Sequence, residues 1–146
     1  MPELPEVEHV KRGIEPFIVN ATIKSISFSK KVIEGKSQNK ETIIKRMNLD
    51  GFRLNCEGYK IIKVERRSKY IVFHIEKHNR KRVLLSHLGM AGGFFIVNHL
   101  SEIAIPNYRK HWHVIFHLNN GKKLVFSDIR LSLIHISEPT RQEAIS

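Results

Sequence analysis

The chain has 146 residues, 41% hydrophobic and 27% charged, which is one domain's worth of globular rather than disordered composition. A single cysteine, Cys56, excludes an internal disulfide framework and a four-cysteine zinc site, and no apolar run approaches the ~20 residues that span a bilayer. Lys and Arg number 25 against 14 Asp and Glu, and a formal charge of +11 points to a polyanionic partner, nucleic acid ahead of an acidic membrane surface.

The chain opens Met-Pro-Glu-Leu-Pro-Glu-Val-Glu. It has no basic-then-apolar signal pattern, so a cytoplasmic location is expected. Initiator Met is removed ahead of a small residue, which makes Pro2 the expected mature terminus with a free secondary amine. Such an amine can attack a sugar aldehyde carbon and give an iminium ion, an electron sink for elimination next door. An α-amino group titrates near ~8, so part of it is unprotonated at neutral pH. Glu3 beside it can shuttle protons. The plainer alternative is a helix start framed by Pro2 and Pro5, with Glu3, Glu6 and Glu8 favouring the helix dipole. Val7, Val10 and Ile14 then recur at helical spacing, and Gly13 and Pro16 are expected to close a helix over 3–15.

Residues 21–29 alternate apolar and polar with one slip, which predicts a strand with a bulge. Asn39 ahead of Ile43, Ile44 and Met47 predicts a capped helical turn over 39–48. Segments 59–65, 70–76, 82–87 and 94–97 are rich in Ile, Val, Phe and Tyr and predict strands. Residues 98–109 read as a surface loop. Segments 112–118 and 123–126 flank Asn119-Asn120-Gly121, a strong hairpin signal. Many short strands behind one helix predict a mainly β, α+β chain folded as a two-layer sandwich or flattened barrel.

Four features fall in or beside the turns. Arg66, Arg67 and Lys69 crowd the 65–70 turn and suit either phosphates or bulk solvent. Gly89, Gly92 and Gly93 surround Met90, which suits either the core or a wedge entering a base stack. His111, His113 and His117 are expected on one strand face. His111 and His117 would lie ~20 Å apart at ~3.3 Å per residue, too far for one metal. Asp128 and Arg130 close the last strand as a structural pair or a DNA contact.

Together these segments resemble the bacterial formamidopyrimidine-DNA glycosylases, a base-excision repair family. The resemblance spans residues 1–130. It rests on Pro-Glu-Leu-Pro-Glu-Val-Glu, Arg-Arg-Ser-Lys-Tyr, His-Leu-Gly-Met-Ala-Gly, Lys-His-x-His-Val and Asp-Ile-Arg, in that order. Leu4 favours this branch over endonuclease-VIII-type relatives. The resemblance implies the family's N-terminal β-sandwich and a bifunctional glycosylase and AP lyase. It implies removal of oxidised purines from double-stranded DNA, with β/δ-elimination through a proline Schiff base. Pro2 would be the nucleophile, Glu3 the proton donor and acceptor, and Lys69 the proton donor for β-elimination. His87 and His111 would contact DNA. Met90 would fill the space left by the extruded base, and Arg130 would face the orphaned cytosine. A monomer acting at the nucleoid, without a membrane, is implied.

Residues 131–146 depart from that pattern. Leu131 and Ser132 stand where the family has a basic residue and then Phe-Gly. From Leu131 to Arg141 the sequence reads like a translated sequencing-library adapter, so these 16 residues are expected to be a non-native, disordered tail. They hold one Arg and two Glu, so the basic excess belongs to residues 1–130. The family's helix–two-turn–helix and zinc-finger domain is expected to be missing, and no cofactor is expected in this chain, since the family's single zinc sits in that finger. Weak or no activity is therefore expected of the chain alone. The alternatives are a non-catalytic nucleic-acid-binding β-domain and, from another class, a tautomerase-type fold using Pro2 as base. The charge and the Arg66-Arg67-Lys69 cluster argue against the last.

Overall fold

A computed structural model describes residues 4–37, 48–68, 70–87, 92–128 and 133–137. Helix α1 (Leu4–Ile18) presents Val7, Ile14 and Ile18 to the core, each at most 2% exposed. It runs through Gly13 and Pro16, past its expected end. Ile18 lies one turn beyond Ile14, and burial of that pair outweighs the backbone hydrogen bond that Pro16 cannot donate.

Strand β1 (Ile23–Phe28) carries the expected irregularity, between Ile23 and Ser25. Two short helices follow that the sequence reading did not place. In α2 (Lys30–Ser37), the Ser29 hydroxyl accepts from the Val32 amide, and Val32 is buried. In α3 (Leu49–Cys56), the Asn48 side chain accepts from the Gly51 amide at 2.7 Å. The helical turn expected over 39–48 lies, but for Asn48, outside the described residues; the observed cap is Asn48.

The remaining strands are β2 (Lys60–Arg67), β3 (Tyr70–Lys77), β4 (Arg80–His87), β5 (Gly92–Val97), β6 (Trp112–Leu118), β7 (Lys123–Asp128) and β8 (Leu133–Ser137). They form two four-stranded antiparallel sheets, ordered β1-β6-β7-β5 and β2-β3-β4-β8. This is the expected two-layer sandwich with an N-terminal helix. The core between the layers is aromatic. Phe52 of α3 meets Phe28 and Phe116 at ring separations of 6.0 and 6.2 Å, and Phe94 lies between Phe73 and Phe126.

Three expectations need correction. Leu133–Ser137 is not disordered: it pairs with β4, from His87 opposite Leu133 to Val83 opposite Ser137. An open edge of β4 would otherwise leave a row of unpaired backbone groups. Residues 98–109 are not a bare loop. They hold a 3-10 turn (Leu100–Glu102), and α4 (Pro106–Lys110) follows, while Ile103 and Tyr108 cover Val97, Ile115 and Val125 on the outer face of the β5–β7 layer. Finally, the three histidines do not share a face. The β6–β7 register slips between Trp112 and Val114, and His113 is 2% exposed, with its ring 6.4 Å from that of Phe126. The extra residue of a bulge reverses the alternation, so strict period-two counting fails there.

Candidate functional site

The registers bring several chain segments to one end of the sandwich. Arg67 faces Tyr70 across the β2–β3 turn, Tyr70 faces His87, and Gly92 faces Asp128. Ser68 in that turn holds φ at 54°, a left-handed conformation unusual for a non-glycine residue. Trp112 faces Ser127, which places His111 at the same end, as the last residue of the α4 turn with its amide donating to the Asn107 carbonyl. The first half of α1 points here too. The Arg66 guanidinium donates to the Glu8 carboxylate at 3.0 Å, while at the other end of the helix the Asn20 amide donates to the Ile61 carbonyl.

Of the seven site residues that the resemblance implies, His87 and His111 are described, and both are half-buried at this end. The His87 ring lies 5.2 Å from the Tyr70 ring. Pro2, Glu3, Lys69, Met90 and Arg130 lie outside the described residues. Their described neighbours in the chain, Leu4, Ser68, Tyr70, Gly92 and Asp128, belong to elements that converge here.

The local electrostatics are basic. Arg67 reaches Glu65 at 3.4 Å, and Glu65 also meets His74. Burial alone would raise the Glu65 carboxyl, but His74, Arg67 and Lys63 more than offset it and hold it below its ordinary value. Glu8 is held low chiefly by the Arg66 hydrogen bond, then by that of Arg12.

Several residues here were missed by the sequence reading. Glu8 was read only as a helix-dipole residue; its partner lies 58 positions away, and no local pattern could have found it. The Ser86 and Ser127 hydroxyls are buried with no hydrogen-bond partner among the described residues. Ser86 adjoins His87, and Ser127 faces Gly93 across β5.

Among the described residues no group of three His, Cys, Asp or Glu side chains could hold a metal ion. Cys56 is buried and its thiol is pushed up to about 12 by desolvation, which suits an inert core residue rather than a metal ligand. No described helix is long and apolar enough to cross a membrane.

The fold and this end define a class: a basic two-layer β-sandwich whose N-terminal helix and turns meet at one surface. The sequence pattern of the formamidopyrimidine-DNA glycosylase N-terminal domain matches residues 1–132, and the chain belongs to that family. It is 40% identical over 130 residues to a formamidopyrimidine-DNA glycosylase of Legionella pneumophila, covering 89% of this chain and 40% of that protein. A Streptococcus agalactiae glycosylase is 35% identical over the same shares. The Lactococcus lactis Fpg bound to DNA containing an abasic site superposes with a TM-score of 0.69 at 25% identity, over 94% of this chain and 44% of that one. The chain thus spans about two fifths of the length of the curated relatives it matches.

Proposed function

We propose that the chain is the catalytic N-terminal part of a base-excision DNA glycosylase with AP lyase activity, acting as a monomer on double-stranded DNA that carries an oxidised purine. The supporting observation is the family match over residues 1–132, with the family's motif positions falling on or next to elements that meet at one basic end of the sandwich. Pro2 is the proposed nucleophile. Its secondary amine attacks C1′ of the damaged nucleotide, the base leaves, and the iminium ion that forms withdraws electrons from C2′. Glu3 takes and returns protons at the sugar. Lys69 lies against the phosphate and protonates the leaving group. His87 and His111 hold the backbone. Met90 and Arg130 occupy the gap in the stack, which offsets an unstacking cost on the order of a few kcal/mol.

The reading also carries the expectation of weak activity from these 146 residues by themselves, which span about two fifths of the length of the curated relatives. The test is borohydride trapping on duplex DNA with one 8-oxoguanine opposite cytosine. The 146-residue chain, its Pro2→Gly variant and a full-length relative are compared. Trapping by the relative and faintly by the chain, lost in Pro2→Gly, is the expected result. DNA binding by the chain without any trapping at high protein excess would leave a non-catalytic binding domain instead.

A further inference from the structure

Read as sequence, the Arg66-Arg67-Lys69 cluster suits phosphates or solvent, yet the structure separates its two arginines. Val64 on β2 is 2% exposed and faces the core, so Arg66, two residues on, shares that face, opposite the buried Ile71. Arg67 takes the other face, where it meets Glu65 at 3.4 Å. Arg66 is half-buried and turns toward helix α1, while Arg67 is exposed.

The Arg66 guanidinium makes two bonds. Its Nε donates to Glu8 Oε1 at 3.0 Å, and its Nη1 donates to the Ser68 carbonyl at 3.3 Å. One rigid plane thus ties the first half of α1 to the β2–β3 turn. Glu8 is fixed in its own right, because Arg12, one helical turn along, donates to its other oxygen at 2.9 Å. Ser68 holds φ at 54°, a conformation that is costly for a non-glycine residue, and the Arg66 bond gives its carbonyl a partner there. A lysine carries a point-like ammonium on a flexible stem and does not hold two acceptors in one fixed plane. The chain positions beside the two arms matter. Leu4 opens α1 two residues after Pro2, and the Ser68 carbonyl belongs to the peptide bond with Lys69.

We propose that Arg66 is a positioning residue that sets the nucleophile against the proton donor. Its Glu8 arm holds the first half of the helix that follows Pro2, and its Ser68 arm holds the turn that leads into Lys69. This role rests on the function proposed above. In that chemistry, on an abasic site, the Pro2 nitrogen bonds to C1′ and water leaves. C2′ then gives up a proton to Glu3, the C3′–O bond breaks, and the phosphate departs with a proton from Lys69. The first step depends on where Pro2 stands, the second on where Lys69 stands. A displacement on the order of 1 Å can cost about a hundredfold in rate, so loss of either arm should slow its own step.

The test uses the 146-residue chain in excess over a duplex with one abasic site. Borohydride trapping reads the first step. Strand cleavage without borohydride, taken per trapped complex, reads the second. Glu8→Ala removes the helix arm and should lower trapping about tenfold, with cleavage per complex unchanged. Arg66→Lys keeps a cation for Glu8 but loses the planar fork. Its trapping should stay within about twofold, while cleavage per complex falls about tenfold. Arg66→Gln should lower both, and Lys24→Gln, which removes equal charge elsewhere, should change neither. Equal losses in both steps for Glu8→Ala and Arg66→Lys, in proportion to their melting temperatures, would reduce the contact to a stabilising one and overturn the proposal. Arg66→Lys matching the unmodified chain in both steps would overturn the Ser68 arm, and the fork with it. Trapping by the unmodified chain with no step-specific loss in any variant would overturn the positioning role alone. No trapping by the unmodified chain, with DNA still bound, would overturn the function proposed above and this role together.

Discussion

Arg66 and Glu8 join the N-terminal helix to the edge of a sheet 58 residues away, through a guanidinium–carboxylate hydrogen bond of 3.0 Å. The pair holds the first half of that helix against the sheet. Glu8 is held by a second cation as well, since Arg12 donates to its other oxygen at 2.9 Å.

The acid dependence of stability follows from that arrangement. The folded state holds the Glu8 carboxyl below its unfolded value of about 4.5, chiefly through Arg66. The unfolded state therefore binds the proton more readily. The stabilising contribution is fully present above about pH 4.5 and is lost as pH falls through the lower folded value. Urea unfolding between pH 7 and pH 3 is expected to show a smaller loss of stability for Glu8→Gln than for the unmodified chain. In the trapping assay proposed above, Arg66→Gln should lower the signal, with DNA affinity changing less, if the pair positions the N-terminal end of the helix.

His117 behaves with a different midpoint. Burial is the main cause of its lowered pKa, with the charges of Lys123 and Lys24 adding to it, and its Nε2 lies 2.8 Å from the Ser27 hydroxyl. The folded state resists protonating this ring. Its contribution is therefore complete above the unfolded value of about 6.5 and is lost as pH falls below it, levelling off once the folded value is passed. His117→Asn should flatten the stability profile between pH 7 and pH 5. An unchanged slope in that window would contradict the assignment.

Much of the fold was legible because its periodic signals are strong. The hairpin at Asn119–Gly121 forms as expected, with Gly121 at φ +83°, and the slip in β1 is real. What was not legible had non-local causes. The Asn48 cap is the last residue of the predicted turn, but α3 is fixed by Phe52 packing on Phe28 and Phe116, rings from distant strands. His113 is turned inward by a bulge whose register depends on β7. At the proposed site the motifs could be read as a linear order, whereas the meeting of Glu8 with Arg66, and of His87 with Tyr70, required the pairing of β2, β3 and β4.

Helix α3 offers a direct probe of core opening. Cys56 is fully buried, and burial pushes its thiol up to about 12. It should resist a thiol-labelling reagent at pH 8 in the native chain and react once the chain is unfolded. Phe52 lies one turn earlier, is 0% exposed and packs against two aromatic rings. Phe52→Ala is expected to cost ~3–5 kcal/mol. If labelling proceeds through opening, its rate should rise by roughly two to four orders of magnitude. Fast labelling of the unmodified chain would mean that α3 detaches without the core.

The last pairing in the chain makes a prediction about solubility. Strand β8 covers the edge of β4 from Val83 to His87, and among the described residues β4 is otherwise paired only with β3. The sequence Leu133-Ile134-His135-Ile136 is short and β-branched, enough to add a strand to an edge that lacks one. A chain stopped at residue 130 would expose that edge's backbone groups. It should melt at a lower temperature and self-associate, read as a larger apparent mass by light scattering that grows with protein concentration. Pro substituted at Ile134, whose residue faces Ser86, should produce a milder form of the same change, because Pro removes one backbone donor and disfavours the extended pairing. A truncated chain that stays monomeric with an unchanged melting temperature would show that β8 contributes nothing to the sandwich.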